Sequence, residues 1–564
     1  MRKRWTLIPA DEEAVSRLHG ELRIHPVLCR VLVQRGISTF DEAKAFFRPS
    51  LDDLHDPFMM KNMDRAVDRV LAALRSEEKI LLYGDYDVDG TTSVALMFEF
   101  LSGLGAKPDY YLPDRHKEGY GVSREGVEYA RETGTSLIIA MDCGIRAVEQ
   151  VENAQRLGID FIVCDHHLPS EELPGAVAVL DPKQAGCAYP YKELSGCGVA
   201  FKLAQAINSR LERSPEHLWQ LLDLLVLSIA ADIVPMTGEN RVLAHFGLKK
   251  LNKTERPGLK ALIESSGRHR PLDINDIVFG LAPMINAAGR LSDARHAVQL
   301  MLANEKFVAA DYARLLNHRN TQRKTYNEAI VREAREMLDA DPGLENRKSI
   351  VLFHPGWHKG VLGIAASRLV ELYCRPVILL CESNGQAVGS ARSVNGFNIH
   401  DAIAACSDLL VNFGGHDHAA GLTMEVDQVP AFTAAFEAAV QGSISEEMLV
   451  PELKVNAVVS LSDLSPTFWR VLRQFAPFGP QNRRPVFVAK NVRDAGYSRL
   501  LKGNHLRLSV HQEEKKVWTG IAFGKGEDFH RLQKSKQFHI AFNLEEDTWQ
   551  GNKRLRLLVK DLWF

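Results

Sequence analysis

The sequence predicts a multidomain α/β protein: a parallel, doubly wound domain, a long helix leading to a smaller α/β domain, and an OB-like β-barrel. Three observations predict it. Apolar runs of strand length alternate with helix-length amphipathic segments from about residue 64 to 235, the pattern of parallel strands joined by helical crossovers. The segment 306–338 lacks Gly and Pro and shows helical spacing, and after Asp341-Pro342-Gly343 a second strand–helix alternation begins. Beyond about 446 the chain switches to short alternating runs such as VFVAKNVRDAGYS and HLRLSVHQ, separated by turn residues.

Composition bounds the reading. A chain of 564 residues exceeds one ordinary core and suits three or four domains. With 69 basic and 71 acidic residues, any basic surface for nucleic acid must be local. The start, MRKRWTLIPADEEAV, lacks an apolar core long enough for a signal peptide, and no apolar run of membrane-spanning length follows. The expectation is a cytoplasmic protein with no membrane partner. Eight cysteines without C-x-x-C spacing argue for reduced thiols over a disulfide framework or zinc site, with Cys143 and Cys164 as small packed residues.

In chain order, 1–60 reads as a helical and irregular region packing on the core, broken by Pro26, Pro49 and Pro57, with one short helix around Val27, Val31 and Leu32. The first α/β domain, 61–255, carries helices over 64–74, 92–104, 122–133 and 145–157, and strands over 80–84, 108–112, 137–141, 160–164 and 177–180. An apolar helix over 217–231 follows. Residues 256–345 read as a helical region containing the connecting helix. The second α/β domain, 346–445, has strands over 349–353, 377–380 and 386–390, helices over 360–372 and 398–407, a Gly-rich turn and a strand over 421–426. The barrel occupies 446–564, where Lys502, His505, Arg507, Trp518, Phe523, Lys525, Trp549, Lys553 and Arg554 mix bases with aromatics, as single-strand-binding surfaces do.

Ligands on doubly wound sheets sit beyond the carboxyl ends of the strands. There the chain places Asp85, Asp87 and Asp89 after the first strand, Asp142 after LIIAM, and Asp165, His166 and His167 after FIVC, while Asp232 closes the apolar helix beside Pro235. Carboxylates crowded together repel one another unless water or cations relieve them. Taken singly, Asp142 or Asp232 reads as a helix cap and either histidine as an ordinary core or surface residue. Together they form an oxygen-rich set with a minority of imidazole, which favours Mn²⁺ or Mg²⁺ over structural zinc. Asp142 is the candidate to bridge two cations about 3.5–4 Å apart, an arrangement suited to phosphoester hydrolysis. Because side chains alternate along a strand, only one of two adjacent histidines coordinates in line with it. His166 is the expected ligand, and His167 faces the phosphate or leaving group.

GDYDVDGTTS, MDCG, CDHH and AADIVP match, in order and spacing, the four motifs of the DHH phosphoesterase superfamily. The second lobe resembles the associated DHHA1 domain through GWHKGVLGIAASRLVE, GSARS and FGGHDHAAG. With PDRHKEGYG, NAAGRL and FAPFGPQNRRPVF, the arrangement from about residue 20 onward resembles the RecJ family of bacterial single-strand-specific exonucleases. The resemblance implies that Asp85, Asp87 and Asp142 surround one metal and Asp89, Asp142, His166 and Asp232 the other, with His167 at the scissile phosphate. It further implies that Arg115, Ser390 and Arg392 hold nucleotide phosphates, including the 5′ end, and that Arg290 and His416 lie near the scissile group. Relatives acting on smaller substrates carry a histidine four residues before Asp87, where Tyr83 stands here. The implied function is two-metal hydrolysis of single-stranded DNA from 5′ to 3′, releasing mononucleotides, in repair and recombination. Single-strand-binding protein and a helicase are the partners it suggests, and a cleft between the two lobes too narrow for duplex would give the specificity. Two rival readings are a DHH phosphodiesterase of short oligonucleotides or cyclic dinucleotides, and a non-catalytic single-stranded-DNA-binding scaffold.

Overall fold

The computed structural model describes residues 3–115, 117–513, 516–549 and 552–564. It divides into two units, one of Pro57–Asp232 and Gly247–Pro451, the other of Lys3–Asp56, Ile233–Phe246 and Glu452–Phe564.

In the first unit, continuous apolar runs become buried parallel strands because crossover helices cover both faces of the sheet. Five strands, Ile80–Gly84, Asp109–Tyr111, Leu137–Met141, Asp160–Cys164 and Ala178–Leu180, line up in the order second, first, third, fourth, fifth. All four pairings are parallel, with Ile80 opposite Leu137 and Leu137 opposite Asp160. That register brings Gly84, Met141 and Cys164 level, so the residues after them share one rim.

Two details differ from the pattern reading. The apolar helix expected over 217–231 is split into Glu216–Gln220 and Leu222–Ala231. A helix over Gly196–Arg210, where no element was expected, packs with Leu222–Ala231 against the helix Val88–Ser102. Its start, Gly196-Cys197-Gly198, carries poor helix formers that hide it from propensity; Ser195 caps it, accepting from the Gly198 amide at 3.1 Å.

The connecting helix, Lys306–Asp339, is 34 residues, about 50 Å at 1.5 Å per residue. It packs against the helices Pro257–Ser266, Ala282–Leu291 and Arg295–Leu302 on one stretch and against Leu362–Tyr373 on another. Beyond it, Ile350–Phe353 pairs in parallel with Val377–Ser383, and Gln386–Arg392, Ala419–Glu425 and Asn412–His416 follow in antiparallel register. The Gly-rich stretch read as a turn is therefore the strand Asn412–His416. Its glycines lack strand propensity, but Gly415, at φ 148°, lies so close to Ala419 and Ala420 that a Cβ would sit 2.3 Å from the Ala419 carbonyl.

The second unit is a five-stranded barrel in which Phe487–Asp494 pairs with both His505–His511 and Phe538–Trp549, while Asn552–Trp563 bridges Trp518–Ala522 and Phe538–Trp549. The N-terminal segment holds three helices instead of one: Glu12–Leu22 capped by Asp11, Pro26–Val33, and Phe40–Phe47 with a Thr39–Glu42 capping box. Their apolar faces enter the barrel's own core, where Leu18, Leu28 and Leu32 join Phe468, Phe475 and Phe487. Among the described residues, no helix is long and apolar enough to cross a membrane.

Candidate metal centre and phosphate site

The strand Ile80–Gly84 ends and the helix Val88–Ser102 begins within four residues. Asp87 caps that helix, its Oδ1 accepting from the Asp89 and Gly90 amides at 2.8 and 3.1 Å. Asp89 already lies in the first helical turn, so the two carboxylates turn to different sides. Gly90 allows this tight start: a Cβ there would lie 2.4 Å from the Asp85 backbone. The carboxylate of Asp89 is held by the start of the Gly196–Arg210 helix, with Gly196 N to Oδ2 at 2.7 Å and Cys197 N to Oδ1 at 2.8 Å, and by Ser228 Oγ at 2.7 Å.

Asp142 leaves its strand with φ 62° while its amide donates to the Cys164 carbonyl at 2.9 Å. His166 Nε2 points into the middle, 3.2 Å from Asp142 Oδ1, 3.6 Å from Asp232 Oδ2 and 3.8 Å from Asp89 Oδ2. Three groups of ligand atoms, each within 4.8 Å, result: Asp85–Asp87–Asp142, Asp89–His166–Asp232, and Asp142–Asp165–His166–His167. The first group holds the residues that the resemblance assigns to one metal; the second holds those it assigns to the other except Asp142, whose Oδ1 lies 3.2 Å from His166 Nε2.

The electrostatics fit cations. Burial first, and the neighbouring carboxylates second, push Asp85, Asp87, Asp142 and Asp232 above the usual carboxylate range. Among the described residues, the buried Asp85 Oδ1 and His166 Nε2 have no hydrogen-bond partner, and burial lowers the His166 imidazole from its ordinary value. Carboxylate oxygens are the donors that hard divalent ions take, and a minority imidazole ligates through its unprotonated nitrogen. Tyr83 is fully buried with its hydroxyl against Gly121 O and Ser123 Oγ at 3.1 and 3.2 Å. Its hydroxyl thus bonds away from the ligand groups, to the Gly121–Ser123 turn.

His167 stands beside this set, with one ring nitrogen within 4.8 Å of ligand atoms of Asp142 and His166. Its Nδ1 sits 2.8 Å from Asp165 Oδ1, which also accepts the His166 and His167 amides, while Asp165 Oδ2 accepts the Ile145 amide at 3.0 Å. Burial raises Asp165, but the His167 imidazole and the Ile145 amide outweigh it and hold the carboxyl at about 2. Burial likewise lowers His167, and the Asp165 bond and charge more than reverse it. The Tyr120 hydroxyl lies 3.2 Å from His167 Nε2 and 3.4 Å from the Asp142 carbonyl oxygen.

Arginines gather beside the carboxylates. Arg115 lies over the Tyr86 ring at 5.0 Å. Arg290, from the helix Ala282–Leu291, donates to the Gly360 carbonyl at 3.3 Å. Burial first, then the guanidiniums of Arg115, Arg323 and Arg392, bring Arg290 down to about 10. Arg392 and Ser390 point to one face of their strand, Nη1 to Oγ at 2.9 Å, with Gly363 leaving room for both. His416 is exposed at the turn after Asn412–His416, where its Nδ1 accepts the His418 amide at 3.2 Å and lies 3.4 Å from Asp417. The register puts Ala419, its cross-strand partner, opposite Arg392. Thus Asp85, Asp87, Asp89, Asp142, His166 and Asp232 converge, Arg115, Arg290 and Arg392 share one field, and His416 lies on the rim of the second lobe.

Residues 79–229 match the DHH family N-terminal domain, 346–442 the DHHA1 domain and 455–561 the RecJ OB domain. The chain is 37% identical to the single-stranded-DNA-specific exonuclease RecJ of Bacillus subtilis, covering 99% of this chain and 71% of that protein. Identity to the Escherichia coli protein of the same name is 33%, over all of both chains. The chain belongs to the RecJ family. Crystal structures of RecJ from Thermus thermophilus superpose on it with TM-scores of 0.84 in complex with Mn²⁺ and 0.79 with Mg²⁺, at 29% and 28% identity, covering the whole chain and 79% and 78% of those chains.

Within this RecJ fold, sequence reasoning counted Asp165 only among the metal-type residues at the strand ends and left two other supports without a role. Asp165 stands in the CDHH motif yet orients His167; Tyr120 stands in PDRHKEGYG beside the better signal of Arg115; and the Gly196–Cys197 amides are backbone groups with no signature. On the barrel, Trp518 is buried in the core, because its strand turns that face inward. Lys525 and Lys553 pair with Asp561 and Glu546, whereas Arg507 and Phe523 are exposed, Phe523 edge-on to His505 at 5.0 Å. The Trp549 side chain lies outside the described residues.

Proposed function

We propose that the protein is a metal-dependent exonuclease that degrades single-stranded DNA from the 5′ end, releasing mononucleotides in DNA repair and recombination. The observation that carries the reading is the closeness of the groups Asp85–Asp87–Asp142 and Asp89–His166–Asp232, with His166 Nε2 3.2 Å from Asp142 Oδ1, beside an arginine field. Asp85, Asp87 and Asp142 are the ligands we assign to one Mn²⁺ or Mg²⁺, and Asp89, Asp142, His166 and Asp232 those for the second. Bound there, the ions would make a water nucleophilic near neutral pH and neutralise charge on the phosphate oxygens. His167, anchored and kept protonatable by Asp165, meets the scissile phosphate or the departing oxygen. Arg115, Arg392 and Ser390 hold phosphates toward the 5′ end, since a guanidinium's planar fork suits phosphate oxygens. Arg290 and His416 act closer to the scissile group.

The barrel supplies a separate single-strand-binding surface, with Arg507, Phe523 and His505 as base and aromatic contacts. The setting we assign is the cytoplasm, with single-strand-binding protein and a helicase as partners that expose the strand. A product time course on 5′- and 3′-labelled single strands with Mn²⁺ or Mg²⁺ tests the reading. Mononucleotides should appear from the 5′ label first, blunt duplex should persist, and Asp87→Ala should be inactive. Faster turnover of a dinucleotide than of a long 5′-phosphorylated strand would favour the small-substrate reading instead, and rapid digestion of blunt duplex would remove the narrow-cleft explanation.

A further inference from the structure

The motif GWHKGVLG has no part in the chemistry above, yet its loop is pinned at several points. The His354 amide donates to the Leu380 carbonyl at 3.1 Å, Trp357 is buried and its Nε1 donates to Glu333 Oε2 at 2.8 Å, and the Gly360 amide donates to His358 Nδ1 at 3.1 Å. Gly360 also accepts Arg290 Nη1 at 3.3 Å, and a Cβ on it would lie 2.7 Å from the Arg290 carbonyl oxygen. The loop thus holds the His358 ring at a fixed place next to Arg290.

Opposite stands the connecting helix. Tyr326 stacks on His358 with ring centroids 5.3 Å apart and planes 14° off parallel, although the tyrosine is 44% exposed and contributes to no described core cluster. Arg323, one turn earlier and on the same face, holds its guanidinium by Nε and Nη2 bonds of 3.1 and 3.0 Å to the buried Asn320 Oδ1. Its charge falls on Arg290, and no carboxylate pairs with it among the described ion pairs. A fixed pair of rings with exposed surface, one helical turn from a guanidinium braced by an amide, is unsuited to a protein core and suited to a nucleotide. The rings offer a stacking surface to the base and the guanidinium a fork to its phosphate.

We propose that Tyr326 and His358, with Arg323, form a subsite for one nucleotide of the single strand, so that the connecting helix reads substrate as well as joining the two lobes. The inference rests on the single-stranded-DNA reading above. Base–aromatic stacking is worth between about five- and 150-fold in affinity.

Binding of 5′-phosphorylated oligothymidylate to the full-length protein in EDTA, by fluorescence anisotropy, is compared with that of strands carrying one abasic residue at each of the first eight positions in turn. The wild type should show a loss of affinity in that range at one position. Tyr326→Ala should erase the loss at that position alone, and Tyr326→Phe should restore it. Arg323→Gln should weaken all strands alike and reduce the slope of log Kd against log salt by about 0.7, the value for one lost phosphate contact on a single strand. An unchanged abasic profile in Tyr326→Ala, a loss spread evenly over all positions, or a failure of Tyr326→Phe to restore it overturns the subsite. Wild-type protein that binds no single strand would overturn the functional reading itself, and the subsite with it.

Discussion

Asp142 is the residue on which the centre turns, and its protonation ties stability to metal. Burial and the neighbouring carboxylates raise Asp85, Asp87, Asp142 and Asp232 together. A carboxyl raised in the fold keeps its proton after the unfolded chain, near pH about 4, has lost its own. Above that pH the metal-free native state binds more protons than the unfolded state, so these groups subtract stability as pH rises. Removing one of them should help the empty protein: metal-free Asp142→Asn is expected to melt above metal-free wild type at pH 7.5, with the gap closing as pH falls toward 4. Mn²⁺ should reverse the order, since ligand at a hundredfold its Kd adds about 2.7 kcal/mol to the wild type and much less to the variant. Calorimetric melting across pH in EDTA and in Mn²⁺ reads both effects. A gap that widens toward low pH would mean that these carboxylates are not repelling one another in the empty site.

The elements show why some of this centre was legible in the sequence and some was not. Strand ends were legible because apolar runs stop abruptly at Gly84, Met141 and Cys164, and whatever follows them must share a rim. The division between Asp87 and Asp89 was visible only through resemblance. Its physical basis is the helix cap at Asp87, which turns the next carboxylate by part of a helical turn. The anchor for Asp89 was not legible at all, since it consists of amides 107 and 108 residues further along the chain. Gly196 is where this long-range contact can be tested. A Cβ there would lie 2.6 Å from Asp142 Cβ and Oδ1, so the helix start can approach both aspartates only without a side chain. Ala in place of Gly in a helix ordinarily adds up to about 1 kcal/mol. Here Gly196→Ala is expected to cost about 1–3 kcal/mol by overpacking and to weaken Mn²⁺ binding at least tenfold by isothermal titration. Unchanged Mn²⁺ affinity would show that Asp89 and Asp142 keep their places without this helix.

At the scale of the molecule, linear segments and spatial units are different things. Read along the chain, the barrel starts near 446 and looks self-sufficient, because each strand alternates and each turn is signalled locally. Its core is nevertheless completed from elsewhere: Leu18, Leu28, Val31 and Leu32 are fully buried in it, and Arg241, from Ile233–Phe246, lies 3.8 Å from the Phe46 ring centroid while donating to the carbonyls of Phe475, Pro477 and Phe46. Trp5 adds a bond from Nε1 to Asp561 at 2.8 Å, and its strand Arg4–Leu7 runs parallel to Glu452–Val455. Each fully buried leucine or valine is worth about 1.5–3 kcal/mol, so four of them match the whole stability of a typical small domain. A fragment of residues 452–564 alone is therefore expected to expose this apolar face, bind a hydrophobic dye and melt without a cooperative transition. Joining residues 3–56 to it through a flexible linker should restore a cooperative melt, since both halves of the core are then present and what is missing is the Ile233–Phe246 segment, with the Arg241 bonds and the Met236 amide bond to the Pro480 carbonyl. If the fragment melts cooperatively by itself, at a temperature near that of the joined form, the barrel's core closes without its N-terminal helices and their packing is incidental to its folding.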